Sequence, residues 1–356
     1  MSFGNTMKKI FKGLIFRKDH FEKDLIGVDD GKIASIPEGA FFESIFYIIP
    51  PFIEAHIHGG WGYDFQRGEF DQLEKILIRK GIGVAVPTLM NDSLENLKKI
   101  SKKFREYKEK KGNSIFPFLR VEGPFISTYK RGAQDEASIL KATRKNIDNF
   151  LSIKEIRNFT FAPERENAEY LVKKALTKGK IPSIGHSNAS FSDFEKIYEL
   201  GVRHMTHFPN AMSSFHHREI GLTGAGLLCQ LDLEIIADCI HTSKEFLKLV
   251  YKFKKGNFAI VSDLIPPAFT DNFGRKITNE EETLLGGGTL VSEQIKILKE
   301  LGFDLEDIIK LAVINNRKFF NLPIPLLKEG EEASFVILDK ELNIEKIFYK
   351  GEEVKS

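Results

Sequence analysis

The middle of the chain alternates between two rhythms of apolar and polar positions. One is a short apolar run that recurs eight times: "FIEAHIHG" (52–59), "GVAVPTLM" (83–90), "IFPFLRVEG" (115–123), "NFTFAPE" (158–164), "KIPSIGHS" (180–187), "VRHMTHFPN" (202–210), "LEIIADCIH" (233–241) and "FAIVSD" (258–263). The other spaces apolar residues three and four apart, as in "FDQLEKILIRKG", "LENLKKISKKFREYK", "NAEYLVKKALTKG" and "FSDFEKIYELG". The last two close on the glycine expected just past a helix C-terminus. The runs predict buried strands and the intervening spacing predicts amphipathic helices. Their alternation predicts a parallel sheet, and eight units predict closure into an α/β architecture, the (β/α)8 TIM barrel. A doubly wound open sheet is the alternative.

The two ends have a different pattern. "MKKIFKGLIF" through "LIGVDDGKIASI" offers short strands around an Asp-Gly turn, and "ASFVILDKELNIEKIFYKGEEV" offers strands joined by polar turns. Together they predict a small β-sandwich module, with residues 1–50 and 323–356 flanking a barrel over 51–322 and proline punctuating both junctions.

A chain of 356 residues, 42% hydrophobic and 29% charged, has ample material for one large core with an appendage. Its 52 basic and 50 acidic residues leave a net charge of +2, too weak a field to predict a nucleic-acid or membrane partner, so the expected substrate is a small molecule. The basic stretch "KKISKKFREYKEKKGN" carries helically spaced apolar residues, which makes it a solvated helix face rather than a nucleic-acid patch. No apolar run reaches the roughly 18 residues that span a bilayer. The two cysteines, Cys229 and Cys239, have no CxxC spacing and no leader pattern precedes them, so the expected compartment is a reducing cytoplasm.

If the runs are barrel strands, His56 and His58 end the first, Glu122 the third, His186 the fifth, His207 the sixth and Asp263 the eighth. Catalytic groups of such barrels collect at this rim. Two residues apart on a strand, His56 and His58 share a face and can share an ion. A single histidine at a strand end is ordinarily just hydrogen-bonded. Four of them with a Glu and an Asp, all arriving at one rim, predict a metal site. Nitrogen and carboxylate donors without thiolates suit zinc, iron(II), manganese or cobalt. A divalent ion lowers the pKa of its water to about 7, and Asp263 is placed to take the proton and return it to a leaving group.

These motifs have a known counterpart. "FIEAHIHGG", "RVEGPFIS", "KRGAQD", "SIGHSNAS", "THFPNAM", "HHREIGLTGAG", "IADCIH" and "VSD" resemble, in this order, those of the N-acetylglucosamine-6-phosphate deacetylases, a branch of the amidohydrolase superfamily. The resemblance covers nearly the whole chain, and "THFPNAM" followed by "HHREIG" is its most specific part. It implies that Glu122, His186 and His207 hold the main ion. His56 and His58 would hold a second, with Glu122 bridging, giving one or two ions per subunit. It further implies hydrolysis of the sugar acetamide to acetate and glucosamine 6-phosphate with Asp263 as general base and acid. Arg218 and His241 match phosphate-binding positions, and Asn210 with Ala211 a substrate contact. Ala133, Gln134 and Leu290 complete the expected substrate-binding set. By the same resemblance Arg218 reaches the neighbouring subunit's site, which implies a homodimer.

The chain departs from the family pattern at several places. Gln134 stands where relatives carry a His that contacts the sugar, substituting a neutral donor. Arg120 replaces a His two residues before Glu122, and an Arg on that strand face is expected to pair with Glu122 and weaken its donation to the metal. "LIPPAF" and "GTLVSE" alter the acyl side of the pocket. The glycine-rich "GLTGAG" (221–226) follows no strand directly and is not read as a nucleotide loop. Two other readings share these residues: an amidohydrolase acting on a different N-acyl sugar, cyclic amide or dipeptide, and a non-catalytic sugar-phosphate binder on the same fold.

Overall fold

A computed structural model describes residues 9–34, 46–270, 277–279 and 282–355. The outermost positions of the predicted terminal segments (1–8, 35–45 and 356) and part of the stretch after Asp263 (271–276 and 280–281) lie outside the described residues.

Eight parallel strands form one sheet in strict chain order: Phe52–Ile57, Ile82–Leu89, Leu119–Phe125, Ile156–Phe161, Ile181–Ile184, His204–Met205, Asp232–Ile235 and Ala259–Ile260. The first and last are joined where Ile57 bridges Leu264; there Asp263 N donates to His56 O (2.9 Å) and His58 N donates to Leu264 O (2.7 Å). The barrel therefore closes at the ends of the strands that carry His56, His58 and Asp263. Each predicted run overlaps its strand, but the third begins at Leu119 rather than Ile115, and the sixth and eighth are only two residues long.

The four predicted helices are Phe70–Arg79, Leu94–Lys111, Ala168–Thr177 and Phe191–Glu199. Ser93 caps the second by accepting from Asn96 N, and Leu97, Ile100, Ser101 and Phe104 form its buried stripe while its lysines face outward. The basic run is thus a solvated face. Ser190 and Asp193 make a reciprocal capping box at the start of the fourth. "GLTGAG" opens the helix Gly221–Leu228, where a Cβ on Gly226 would lie 2.1 Å from Phe208 Cε2. Close packing accounts for that glycine. Among the described residues, no helix is long and apolar enough to cross a membrane.

The terminal segments pair into one seven-stranded sheet. Strands Lys9–Arg17, His20–Asp29, Lys32–Ala34 and Tyr47–Ile49 join Phe335–Leu338, Ile344–Tyr349 and Glu352–Val354. The predicted Asp-Gly turn is present, with Asp30 (φ 47°) and Gly31 (φ 73°) both in the left-handed region that a two-residue hairpin requires. This sheet wraps its own core of Ile15, Ile26, Ile48, Phe335 and Phe348.

Inside the barrel, Ile53, Ala55, Val86, Phe118, Val261 and Phe320 form an apolar cluster. Along the third strand Phe118, Arg120 and Glu122 share one face by alternation. The interior thus runs from an apolar layer, through a polar one, to the mouth.

Candidate metal centre

At the mouth the rim residues converge. His186 Nε2 lies 2.8 Å and His207 Nε2 2.6 Å from Glu122 Oε1, and the two imidazole nitrogens are 3.1 Å apart. On the other side His56 Nε2 and His58 Nε2 lie 3.2 Å apart, His58 Nε2 is 3.4 Å from Glu122 Oε2, and both imidazoles are 3.3 Å from Asp263 Oδ1. Two donor groups result, one of Glu122, His186 and His207, the other of His56, His58, Glu122 and Asp263, with Glu122 common to both.

This donor set fits divalent cations on its own geometry. Four imidazole nitrogens and two carboxylates all point inward, yet Asp263 Oδ1 is buried with no hydrogen-bond partner. Like-typed nitrogens 3.1 and 3.2 Å apart cannot satisfy one another fully, whereas a cation satisfies every lone pair at once. Backbone shape contributes: His186 (φ 45°), His207 (φ 32°) and Asp263 (φ 52°) all adopt the left-handed region that non-glycine residues avoid. Strain of this kind persists only where surrounding structure enforces it. One enforcing contact lies outside the ligand set, since His186 Nδ1 is held 2.8 Å from Lys130 O.

The electrostatics sort the groups. Burial works against charge on Glu122, but the flanking imidazoles, His186 foremost, hold its carboxyl well below the usual range. Burial likewise opposes ionisation of Asp263, and His56 and His58 override it, so this carboxyl stays ionised and able to accept a proton. The His pair is driven apart: burial, then the Arg120 guanidinium, pushes His56 down, whereas for His58 the adjacent Asp263 and Glu122 carboxylates overcome burial and raise it.

A cavity of about 490 Å³ opens over the cluster, within the usual range for small-molecule sites. Of the expected substrate-binding residues, Ala133, Gln134, Asn210, Ala211 and His241 line it, beside Glu122, His186, His207 and Asp263. Gln134 donates from Nε2 to Glu122 O (2.9 Å) and accepts from Asn91 N at Oε1 (3.0 Å), leaving one amide hydrogen for the cavity. Leu290 is buried at the start of the helix Val291–Glu300, outside the cavity wall. Arg218 is exposed beside His217 and does not line the cavity of its own chain.

Three features escape a reading of residues alone. Arg120 does not pair with Glu122. It forms a two-pronged pair with Glu234, at 2.6 and 2.8 Å, one layer below. Strand twist aims its long side chain across the barrel, and the expected weakening of Glu122 is removed. Asp238 accepts from the backbone of Ile240 and His241 and lies 2.8 Å from His241 Nδ1. Burial disfavours a charged His241, but this hydrogen bond outweighs it and raises the pKa. The signal was an Asp three residues before a His in a turn. Met90, Lys130 and the stretch from Glu282 to Gly286 also line the cavity, with no motif to announce them.

A closed parallel barrel whose strand ends gather imidazoles and carboxylates around a shared Glu defines the class of rim-metal hydrolases. Residues 47–354 match the amidohydrolase family profile. Over 97% of this chain and 99% of its own, the crystal structure of the N-acetylglucosamine-6-phosphate deacetylase from Thermotoga maritima superposes with a TM-score of 0.88 at 32% identity. The chain therefore belongs to the amidohydrolase family, in its N-acetylglucosamine-6-phosphate deacetylase branch. Curated relatives include the N-acetylglucosamine-6-phosphate deacetylase of Lysinibacillus sphaericus, 26% identical over 92% of each chain. Another is the N-acetylgalactosamine-6-phosphate deacetylase of Escherichia coli O157:H7, 25% identical over 91% of this chain and 93% of its own.

Proposed function

We propose that the protein hydrolyses the acetamide of N-acetylglucosamine 6-phosphate to glucosamine 6-phosphate and acetate. The observation that carries this reading is the convergence of Glu122, His186, His207, His56, His58 and Asp263 in one cluster, beneath a cavity lined by Glu122, His186, His207, Asp263 and His241. Glu122, His186 and His207 would hold one ion, and His56 and His58, together with Glu122, would hold a second. Zinc or iron(II) suits these donors best, with manganese and cobalt as alternatives. When bound, a divalent ion supplies a Lewis acid and a nucleophilic water at neutral pH.

The chain's own groups do the rest. Asp263, ionised at the floor of the cavity, takes the proton from the attacking water and delivers it to the departing amine. His241, whose pKa the Asp238 hydrogen bond raises, binds the phosphate, and Arg218 of a second copy in a homodimer adds a planar fork suited to the same group. Asn210, Ala211, Ala133 and Gln134, which line the cavity, orient the sugar. Catalysis belongs to the barrel, residues 51–322, with 1–50 and 323–356 as its flanking module. The unpaired Cys229 and Cys239 suit a cytoplasmic setting.

The galactosamine-specific relative supports a second reading in which the substrate is the C4 epimer. Acetate release by metal-loaded protein, measured across N-acetylglucosamine 6-phosphate, its galactosamine epimer and the unphosphorylated sugars, decides. N-acetylglucosamine 6-phosphate should give the highest kcat/KM. Equal kcat/KM with and without the phosphate would overturn the phosphate assignment, and no acetate from any substrate would overturn the activity.

A further inference from the structure

Directly beneath the ligands lies a fully buried ion pair that the reaction does not itself require. Arg120 and Glu234 are both 0% exposed. The guanidinium donates to Glu234 Oε1 (2.6 Å) and Oε2 (2.8 Å), to Ala55 O (3.1 Å) and to Thr206 Oγ1 (3.0 Å). Each of these contacts adjoins a ligand. Ala55 immediately precedes His56, Thr206 immediately precedes His207, and Arg120 itself stands two residues before Glu122. Glu234 extends the frame, because its backbone oxygen accepts from Phe208 N (2.6 Å), just after His207. Its Oε2 also lies 3.9 Å from His56 Nδ1, a buried nitrogen with no hydrogen-bond partner.

One planar group therefore ties together the first, third, sixth and seventh barrel strands at a single level. We infer that the Arg120–Glu234 pair is a positioning device for the metal ligands, setting the separation between the His56/His58 arm and the Glu122/His207 arm. This rests on the reading that the cluster holds divalent cations. A guanidinium can do this because its rigid fork addresses several acceptors in fixed directions, which a lysine ammonium cannot. Glu234 offsets the charge of Arg120 within the frame. By pairing with Glu234 rather than Glu122, Arg120 also leaves both Glu122 oxygens to face the imidazoles.

The test is zinc affinity of the full-length protein, read by competition with a chromophoric chelator, for wild type, Arg120→Lys and the double variant Arg120→Met/Glu234→Leu. Partners behind metal ligands typically govern affinity by about 10- to 100-fold, and a rise of that size in the zinc dissociation constant is expected for both variants. The absorption spectrum of the cobalt-loaded protein should change with it, since ligand geometry is altered. A role confined to holding the fold would lower the melting temperature but leave zinc affinity and the cobalt spectrum of the folded protein unchanged, and that result overturns the inference. If Arg120→Lys does not fold, the double variant, which leaves no lone buried charge, decides. Zinc uptake is read here independently of acetate release, so an inactive wild type that binds zinc would count against the proposed function alone. A wild type that takes up no zinc overturns both.

Discussion

Replacing Arg120 by Met removes one half of the buried pair and strands the other. Glu234, 0% exposed, is left with His204 Nε2, 3.3 Å from Oε1, as its nearest imidazole. Ala55 O and Thr206 Oγ1 lose a donor as well. Breaking a buried pair from one side costs about 3–5 kcal/mol, because the survivor remains charged and desolvated. An unfolding entropy of about 2.1 cal/mol/K per residue over 356 residues converts this to a fall of roughly 5 °C in melting temperature. Removing both partners, in Arg120→Met/Glu234→Leu, should recover most of the loss, since apolar replacements of similar size are often neutral. The assay is thermal unfolding by circular dichroism of metal-free protein, because a bound ion would add its own stabilisation by mass action. An Arg120→Met protein that melts within about 1 °C of wild type, or a double variant that falls below wild type by the full sum of the two single losses, would refute the reasoning.

The Asp238 hydrogen bond raises the pKa of His241 against its burial, so its charge persists to higher pH than an unperturbed imidazole's and is lost as pH rises through the raised pKa. KM for the phosphorylated sugar should climb over that interval, and in Asp238→Asn the climb should begin at lower pH; identical KM profiles would remove Asp238 from phosphate binding. Gly226→Leu forces a side chain into Phe208 and should cost about 1–3 kcal/mol by overpacking, measured by denaturant unfolding; an unchanged midpoint would show that this helix can move away.

Much of the architecture was legible because strand and helix periods differ and each leaves its mark on consecutive residues. The alternation of buried runs with capped amphipathic helices such as Leu94–Lys111 gave the barrel, and the rim ligands followed from where the runs end. Direction across the barrel was not legible. Arg120 and Glu122 share a strand face, and only the three-dimensional path of a long side chain shows that Arg120 turns to Glu234, 114 positions away. The left-handed backbone at His186, His207 and Asp263 is equally silent in sequence, because none of these residues is the glycine that usually signals it. Leu290 and Arg218 illustrate the reverse. A motif gave each a place, yet neither reaches the cavity of its own chain.

The central claim is that Asp263 moves the proton for a hydrolysis driven at the rim cluster. Its most direct measurement is kcat for acetate release from N-acetylglucosamine 6-phosphate by wild type and Asp263→Asn at matched zinc content. The account predicts that the variant retains the ion held by Glu122, His186 and His207 while kcat drops by about 10²- to 10⁴-fold, the usual contribution of a positioned acid–base group. An Asp263→Asn enzyme that carries the same zinc and turns over at the wild-type rate would contradict it.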